Sequence, residues 1–348
     1  MSEVALYRKY RPKDFREVMG QEHIVATLEK SIKNGKIFHA YLFAGSRGTG
    51  KTSVARIFAK DVGCTDIDLY EIDAASNRGI DEIRAIREAV HTLPYESPYK
   101  VYIFDEAHML TKEAWNALLK TLEEPPKHAI FILATTELEK VPETVVSRCQ
   151  TFVFKKPSHA TLRETILRIA QAEGYTLDTA SADLIALLGD GSIRDTTGIL
   201  QKILSASSEK RISLDEVEKI AGAPKEKYFD EILSAIEKGD PAKALESIEK
   251  ASNDSDMGVF LKLLVEKVRV ILLLRFSKHL EEEYKEMLSE HEYKFLLGIA
   301  HRHPSRINSK LLEELLLALE MSGRGSSGSL ALELAILKIL HEEHEEKV

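Results

Sequence analysis

The chain has 348 residues, 44% of them hydrophobic and 30% charged, which is the composition of ordinary globular domains rather than of fibrous or disordered chains. That length exceeds what one core usually supports, so two or three domains are expected, and no uninterrupted apolar run approaches the roughly 18 residues of a membrane helix. The net charge of −8 is uneven: residues 1–158 hold 23 Lys+Arg against 22 Asp+Glu, whereas residues 159–348 hold 25 against 34, so any nucleic-acid contact must come from local basic clusters on the N-terminal part.

The opening Met1-Ser2-Glu3-Val4-Ala5-Leu6-Tyr7-Arg8 lacks the charged, then apolar, then small pattern of a secretory signal, and a cytoplasmic protein without membrane partners is expected. A first strand is predicted at Ala40–Ala44, followed by Gly45-Ser46-Arg47-Gly48-Thr49-Gly50-Lys51-Thr52 and a helix that continues through Ser53 to Asp61. Strand, glycine-rich loop and helix together form a P-loop in its proper setting. Small side chains let backbone N–H groups close around phosphate oxygens, and the helix adds its positive end. Lys51 would neutralise the terminal phosphates and Thr52 would offer its hydroxyl to Mg²⁺, so a nucleoside triphosphate is the expected ligand.

Further strands are predicted at Leu69–Asp73, Val101–Asp105, Ile130–Thr135 and Phe152–Phe154, with helices at Asp81–His91 and Thr111–Glu123. Ser76 and Asn77 are candidate caps for the first of these helices, and Pro125-Pro126 stops the second. Strands alternating with helices argue for a parallel sheet covered on both faces. The run Val101–Phe104 delivers Asp105 and Glu106 to the exit of a buried strand, where ligands bind in open α/β sheets. Asp105 would hold the Mg²⁺ shell and Glu106 would act as general base on water. A strand ending in Asp-Glu is weak by itself; downstream of a P-loop it gains meaning. Thr136 would bring a hydroxyl beside the γ-phosphate, and Ser147-Arg148-Cys149 follows.

From about Pro157 the β signal vanishes and an all-helical remainder is expected, with breaks near Gly174, Gly189–Gly191, Gly222–Pro224, Asn253–Asp256 and His303-Pro304. Boundaries are expected near Ser158 and Ala221, and Ser322–Ser329 reads as a long loop before a helix over Leu330–Leu340. The two cysteines, Cys64 and Cys149, stand too far apart for a four-cysteine site, so no zinc is expected.

The order of these segments resembles the AAA+ ATPases of the clamp-loader clade, and their wording resembles the bacterial DNA polymerase III gamma/tau subunit family. Carrying the match are Tyr7–Pro12, Gly20–His23, the P-loop, Glu71–Ser76, Asp105–His108, Leu122–Pro126, Ser147–Cys149 and Gly191–Asp195. The resemblance implies a P-loop α/β core over 1–158, a helical lid over 159–221 and an all-α collar for oligomerisation over 222–348. It implies that Tyr10, Arg11 and Pro12 with Val18 and Met19 wall the adenine, although read singly each is equally part of a basic arm packed on the core. Thr136 would be the first sensor, Arg194 the second, and Arg148 an arginine finger reaching a neighbour's ATP site. Such trans-acting arginines contribute about 10³–10⁵ in rate.

The family usually carries a four-cysteine zinc module after the P-loop helix, whereas here Asp61–Asp68 bridges that interval with one cysteine. The long extension of the tau form is not expected within 348 residues. Family members grip primer–template DNA through its backbone, which assigns Asn77, Arg78, Arg84 and Lys120 to DNA; read alone, each is a solvated surface residue. The implied function is the ATP- and Mg²⁺-dependent motor of a clamp loader, assembled from copies of the chain with delta and delta-prime type subunits and acting on a sliding clamp. A branch-migration or recombination AAA+ enzyme and a non-hydrolysing stator subunit are the rival readings.

Overall fold

A computed structural model of the chain describes residues 4–323 and 328–345. The chain divides into two compact units, Met1–Ser205 and Ala206–Val348.

The first unit is built on five strands, β1 (Ala40–Ala44), β2 (Leu69–Asp73), β3 (Lys100–Asp105), β4 (Ala129–Thr135) and β5 (Gln150–Val153), in the order β2-β3-β4-β1-β5. Every pairing is parallel. Its helices are α1 (Leu6–Lys9), α2 (Glu22–Lys33), α3 (Lys51–Asp61), α4 (Ile80–Ala89), α5 (Lys112–Glu123), α6 (Glu143–Val146), α7 (His159–Ala172), α8 (Thr179–Leu188) and α9 (Ile193–Ala206).

Alternation along the strands sorts their side chains onto two faces. Leu42, Tyr102, Phe104, Phe131 and Leu133 pack on Ile83 of α4 and Trp115, Leu118 and Leu122 of α5. Tyr41, Phe43, Ile103, Ile130 and Ile132 pack on Ile24 and Leu28 of α2 and Val54, Ile57 and Phe58 of α3. Each such burial contributes about 1.5–3 kcal/mol. Because both faces are covered, β1, β4 and nearly all of β3 are uniformly buried, and they read in sequence as apolar runs rather than alternating ones.

Thr111 caps α5, its hydroxyl accepting the Ala114 amide at 3.2 Å. Ser76 and Asn77 do not cap α4, whose N-cap is Gly79 without a side-chain bond. Instead Asp73 at the end of β2 gathers them into a turn: its carboxylate accepts the Ser76 hydroxyl at 3.0 Å, and its carbonyl accepts the Asn77 amide at 2.8 Å. A carboxylate one strand earlier out-competes the helix start for these polar groups.

The remainder is not wholly helical, because β6 (Thr176–Leu177) lies in the first unit and β7 (Arg211–Ile212) in the second. Two residues are too few to leave a periodic signal. The second unit continues with α10 (Leu214–Ala221), α11 (Glu226–Lys238), α12 (Pro241–Asp254), α13 (Met257–Phe276), α14 (Glu281–Met287), α15 (Glu290–Ala300), α16 (Ser309–Gly323) and α17 (Gly328–Glu345). Its core centres on α13, where Phe260 stacks on Phe229 of α11 at 4.5 Å between ring centroids. The expected loop over Ser322–Ser329 is shorter than its composition implied: helix takes both flanks, and 324–327 lie outside the described residues. No described helix is long and apolar enough to cross a membrane.

Candidate nucleotide site

Parallel pairing puts the carboxyl ends of β1, β3 and β4 on one edge of the sheet, so Gly45, Asp105 and Thr135 arrive together from distant parts of the chain. The Gly45 amide donates to the Thr135 carbonyl at 3.2 Å, which fixes where the P-loop leaves the sheet. Two glycines then shape the loop. Gly48 has φ +75° and a Cβ there would collide with Ser192, while Gly50 has φ +99° and caps the start of α3. Residues with side chains rarely adopt either conformation.

Lys51 is buried, and its ammonium donates to the carbonyls of Gly45 at 2.8 Å and Ser46 at 2.9 Å. Burial lowers its pKa, opposed by the negative charges of Glu106 and Asp105. A buried cation whose charge is only partly offset is well matched to a polyphosphate. The Thr52 hydroxyl donates to Asp105 Oδ2 at 2.9 Å, so two oxygen donors of the kind Mg²⁺ takes already lie side by side.

Glu106 has φ +50° and ψ +43°, a left-handed conformation that is uncommon for such a residue. Its Oε2 accepts the Thr136 hydroxyl at 3.2 Å. The sensor candidate thus touches the general-base candidate directly.

Lys51, Thr52, Asp105 and Glu106 face a cavity of about 750 Å³, a size suited to a nucleotide-like ligand; Thr136 does not line it and meets it only through its bond to Glu106. Tyr10, Arg11, Pro12, Val18, Met19, Arg47–Ser53, Asp105, Glu106 and Arg194 all line it. Arg11 is tied to the P-loop helix by a 3.0 Å bond from Nε to the Ser53 hydroxyl, and its pKa is lowered, chiefly by burial. Tyr10 donates its hydroxyl to Glu173 just beyond α7, and Lys9 pairs with the same carboxylate at 2.7 Å. Arg194 lies over the Tyr7 ring, 5.1 Å from its centroid. Gly45 and Ser46 contribute carbonyls rather than cavity wall.

Arg148 is not in this cavity. Its guanidinium donates to Glu123 Oε1 at 2.6 Å and to the Thr144 carbonyl at 2.7 Å, at the far end of α6. Asn77, Arg78, Arg84 and Lys120 are exposed and also lie apart from it. They are brought to neighbouring elements because α4 packs on α5. Arg84 is paired with Asp81 at 3.2 Å, and the Arg78 carbonyl accepts the Thr111 amide at 3.1 Å.

Sequence reasoning assigned no role to two residues that the structure packs directly behind the site, outside the cavity wall. Gln21 is fully buried; its amide donates to the Lys155 carbonyl at 2.7 Å and accepts the Lys155 amide at 3.2 Å, beside the P-loop at Thr49. His108 lies between Glu106 and Glu137. Both stand inside segments that carry the family resemblance, which was the available signal. Cys64 and Cys149 are free thiols whose pKa values burial pushes up to about 11 and about 12. Among the described residues no cluster of three metal-capable side chains occurs.

A P-loop after a central strand, an acidic pair on the neighbouring strand end but one, and five parallel strands in this order define an AAA+ type nucleotide-binding core. The same fold is found in the Thermotoga maritima RuvB Holliday junction branch migration motor, at TM-score 0.53 and 24% identity over 65% of this chain and 79% of that one. The family model for DNA polymerase III, delta subunit, matches residues 20–79 and 66–158, and that for DNA polymerase III subunits gamma and tau domain III matches 212–348. DNA polymerase III subunit tau of Bacillus subtilis is 41% identical over 303 residues, covering 81% of this chain and 54% of that protein. DNA polymerase III subunit gamma of Buchnera aphidicola is 31% identical, covering 96% of this chain and 98% of that protein. The chain belongs to the DNA polymerase III gamma/tau subunit family. It spans about half the length of several of the relatives it matches, including the gamma/tau subunit of Mycobacterium tuberculosis at 51%.

Proposed function

We infer that the chain is the ATP-hydrolysing motor subunit of a clamp loader, which opens a ring-shaped sliding clamp and sets it on primer–template DNA. The observation that carries this reading is the meeting of Lys51, Thr52, Asp105, Glu106 and Thr136 at one edge of the parallel sheet, in a chain of this family. In binding ATP, Lys51 exchanges the carbonyls of Gly45 and Ser46 for the terminal phosphates. Thr52 and Asp105 would hold Mg²⁺, which when bound neutralises charge on the phosphate oxygens. Tyr10, Arg11, Pro12, Val18 and Met19 wall the base, and Arg194 closes the phosphate side.

Glu106 orients the attacking water and takes up its proton, with Thr136 holding the carboxylate in place. Arg148 faces away from its own nucleotide and completes the site of a neighbouring copy, so that hydrolysis waits for assembly. Asn77, Arg78, Arg84 and Lys120 contact DNA phosphates. The chain works in the cytoplasm as a core over 1–158, a lid over 159–221 and a collar over 222–348, alongside delta and delta-prime type subunits.

The test is reconstitution with those subunits and the clamp from the same source, measuring ATP turnover with and without primed DNA. Turnover that rises only with clamp and primed DNA together is expected. Stimulation by a four-way junction instead would overturn the reading in favour of a branch-migration motor.

A further inference from the structure

We propose that Glu173, the residue that ends α7, is a positioning residue for the base wall: by accepting the Tyr10 hydroxyl it fixes the Tyr10 ring, and with it the base-binding side of the cavity, against α7. This rests on the reading of the cavity as an ATP site and adds a member that does not itself line it.

α1 is four residues long, too short to hold its own place, since isolated helices below about 12–15 residues are marginal in water. Its position must come from the rest of the fold, and side chains from three helices supply it. Gln201 of α9 accepts the Leu6 amide at 3.0 Å. Ser53 of α3 accepts the Arg11 Nε–H at 3.0 Å. Glu173 accepts the Tyr10 hydroxyl and the Lys9 ammonium on one oxygen, Oε1, the second at 2.7 Å. Ser53 thus pins the wall to the P-loop helix through Arg11, and Glu173 pins it to α7 through Tyr10.

α7 is the other side of the same space. Its Thr165, Arg168 and Ile169 line the cavity, and the Thr165 hydroxyl lies 3.5 Å from the sulfur of Met19, a further wall residue. The helix therefore meets the base wall at two points, Thr165 with Met19 and Glu173 with Tyr10. Donor and acceptor are in the right states: burial, then Glu173, raises the Tyr10 pKa, so the phenol keeps its proton, while hydrogen bonds from Lys9 and Tyr10 lower that of Glu173. Helix stability alone would favour a neutral or basic residue at this position, because the backbone dipole is negative at a helix C-terminus. The carboxylate is explained by its partners on the wall. A phenol released from its anchor turns more freely and must be ordered again when nucleotide enters, a cost that falls on the base and not on the phosphates, which meet Lys51 and Thr52.

Equilibrium binding of Mg²⁺-ATP and of Mg²⁺-tripolyphosphate, which carries no base, to the full chain tests this, with melting temperature measured alongside. Glu173→Ala is expected to raise Kd for ATP about three- to tenfold, the worth of one hydrogen bond, and to leave Kd for tripolyphosphate within about twofold. Tyr10→Phe, which keeps the ring and loses only the donor, should give the same split, and the double variant should lose no more than either alone. Glu173→Gln retains an acceptor and should recover most of the ATP affinity. If Glu173→Ala melts too low to assay, Tyr10→Phe carries the same comparison. An equal loss for both ligands means general loosening and overturns the positioning role. Unchanged ATP affinity in Glu173→Ala and Tyr10→Phe, while Lys51→Ala abolishes ATP binding, overturns that role alone. Full ATP affinity of Lys51→Ala overturns the nucleotide-site reading on which it rests.

Discussion

Gly48→Ala should disable the P-loop through its contact with Ser192, and the loss should be partly repairable from the other side of that contact. The residue has φ +75°, and forcing a side chain into the left-handed region costs about 1–2 kcal/mol. The new Cβ would also collide with the Ser192 hydroxyl and lie 2.9 Å from its Cβ. Ser192 cannot simply turn away, because its hydroxyl accepts the Asp195 amide at 3.1 Å at the start of α9, a capping bond worth about 1 kcal/mol. The sum is about 2–3 kcal/mol, which for a unit of this size is a fall in melting temperature of about 5–10 °C.

Gly50→Ala makes a useful control. Its φ of +99° carries similar backbone strain, but a Cβ there meets nothing within 4 Å, so it should lose about half as much. Ser192→Gly alone should cost a few tenths of a kcal/mol. Combined with Gly48→Ala it should restore about 1 kcal/mol, together with part of the nucleotide affinity. Thermal melts and titration with a fluorescent ATP analogue on the four variants measure both quantities. Equal losses at Gly48 and Gly50, with no recovery from Ser192→Gly, would refute the argument that the close approach sets the loop.

Lys51→Ala should abolish nucleotide binding, whereas Glu106→Gln should keep binding and stop turnover; equal loss of affinity in both would contradict their separate roles. Arg148→Ala should leave the ATP affinity of the isolated chain unchanged but reduce turnover of the assembly by about 10³, and mixing it with Lys51→Ala subunits should regain activity where an intact Arg148 adjoins an intact P-loop. Removing one charge among Arg78, Arg84 and Lys120 should weaken DNA binding alike for all sequences and reduce the salt slope by about 0.9; an unaltered slope would argue against that surface. Burial acts to raise the pKa of Asp68, but the amides of Glu96, Tyr95 and Ser97 with the Ser97 hydroxyl hold it at about 2. The resulting stabilisation, about 2 kcal/mol, is full above the ordinary carboxylate pKa and is lost as pH falls through about 2. Urea melts of wild type and Asp68→Asn should therefore differ most at neutral pH and converge below about pH 4; a constant gap down to pH 3 would contradict this.

The sequence by itself determined the P-loop, the five strands and the acidic strand end, because each is written in neighbouring residues. Glycines at 45, 48 and 50 set a loop that other residues resist, and the buried strands are short apolar runs. The fold class followed, since strands alternating with helices leave few arrangements. Only the tertiary structure decided which distant residues share the site. Gln21 reaches Lys155 across 134 positions and His108 reaches Glu137 across the β3–β4 pairing, and nothing local to either residue announces its partner. The same physics explains the misplaced helix caps: Ser76 and Asn77 suit a helix start, but Asp73 offered them acceptors once β2 had taken its place in the sheet. Local conformation is legible along the chain because its energies are local. The geometry of a catalytic site is decided when strands pair, and the sheet brings their ends together irrespective of sequence separation.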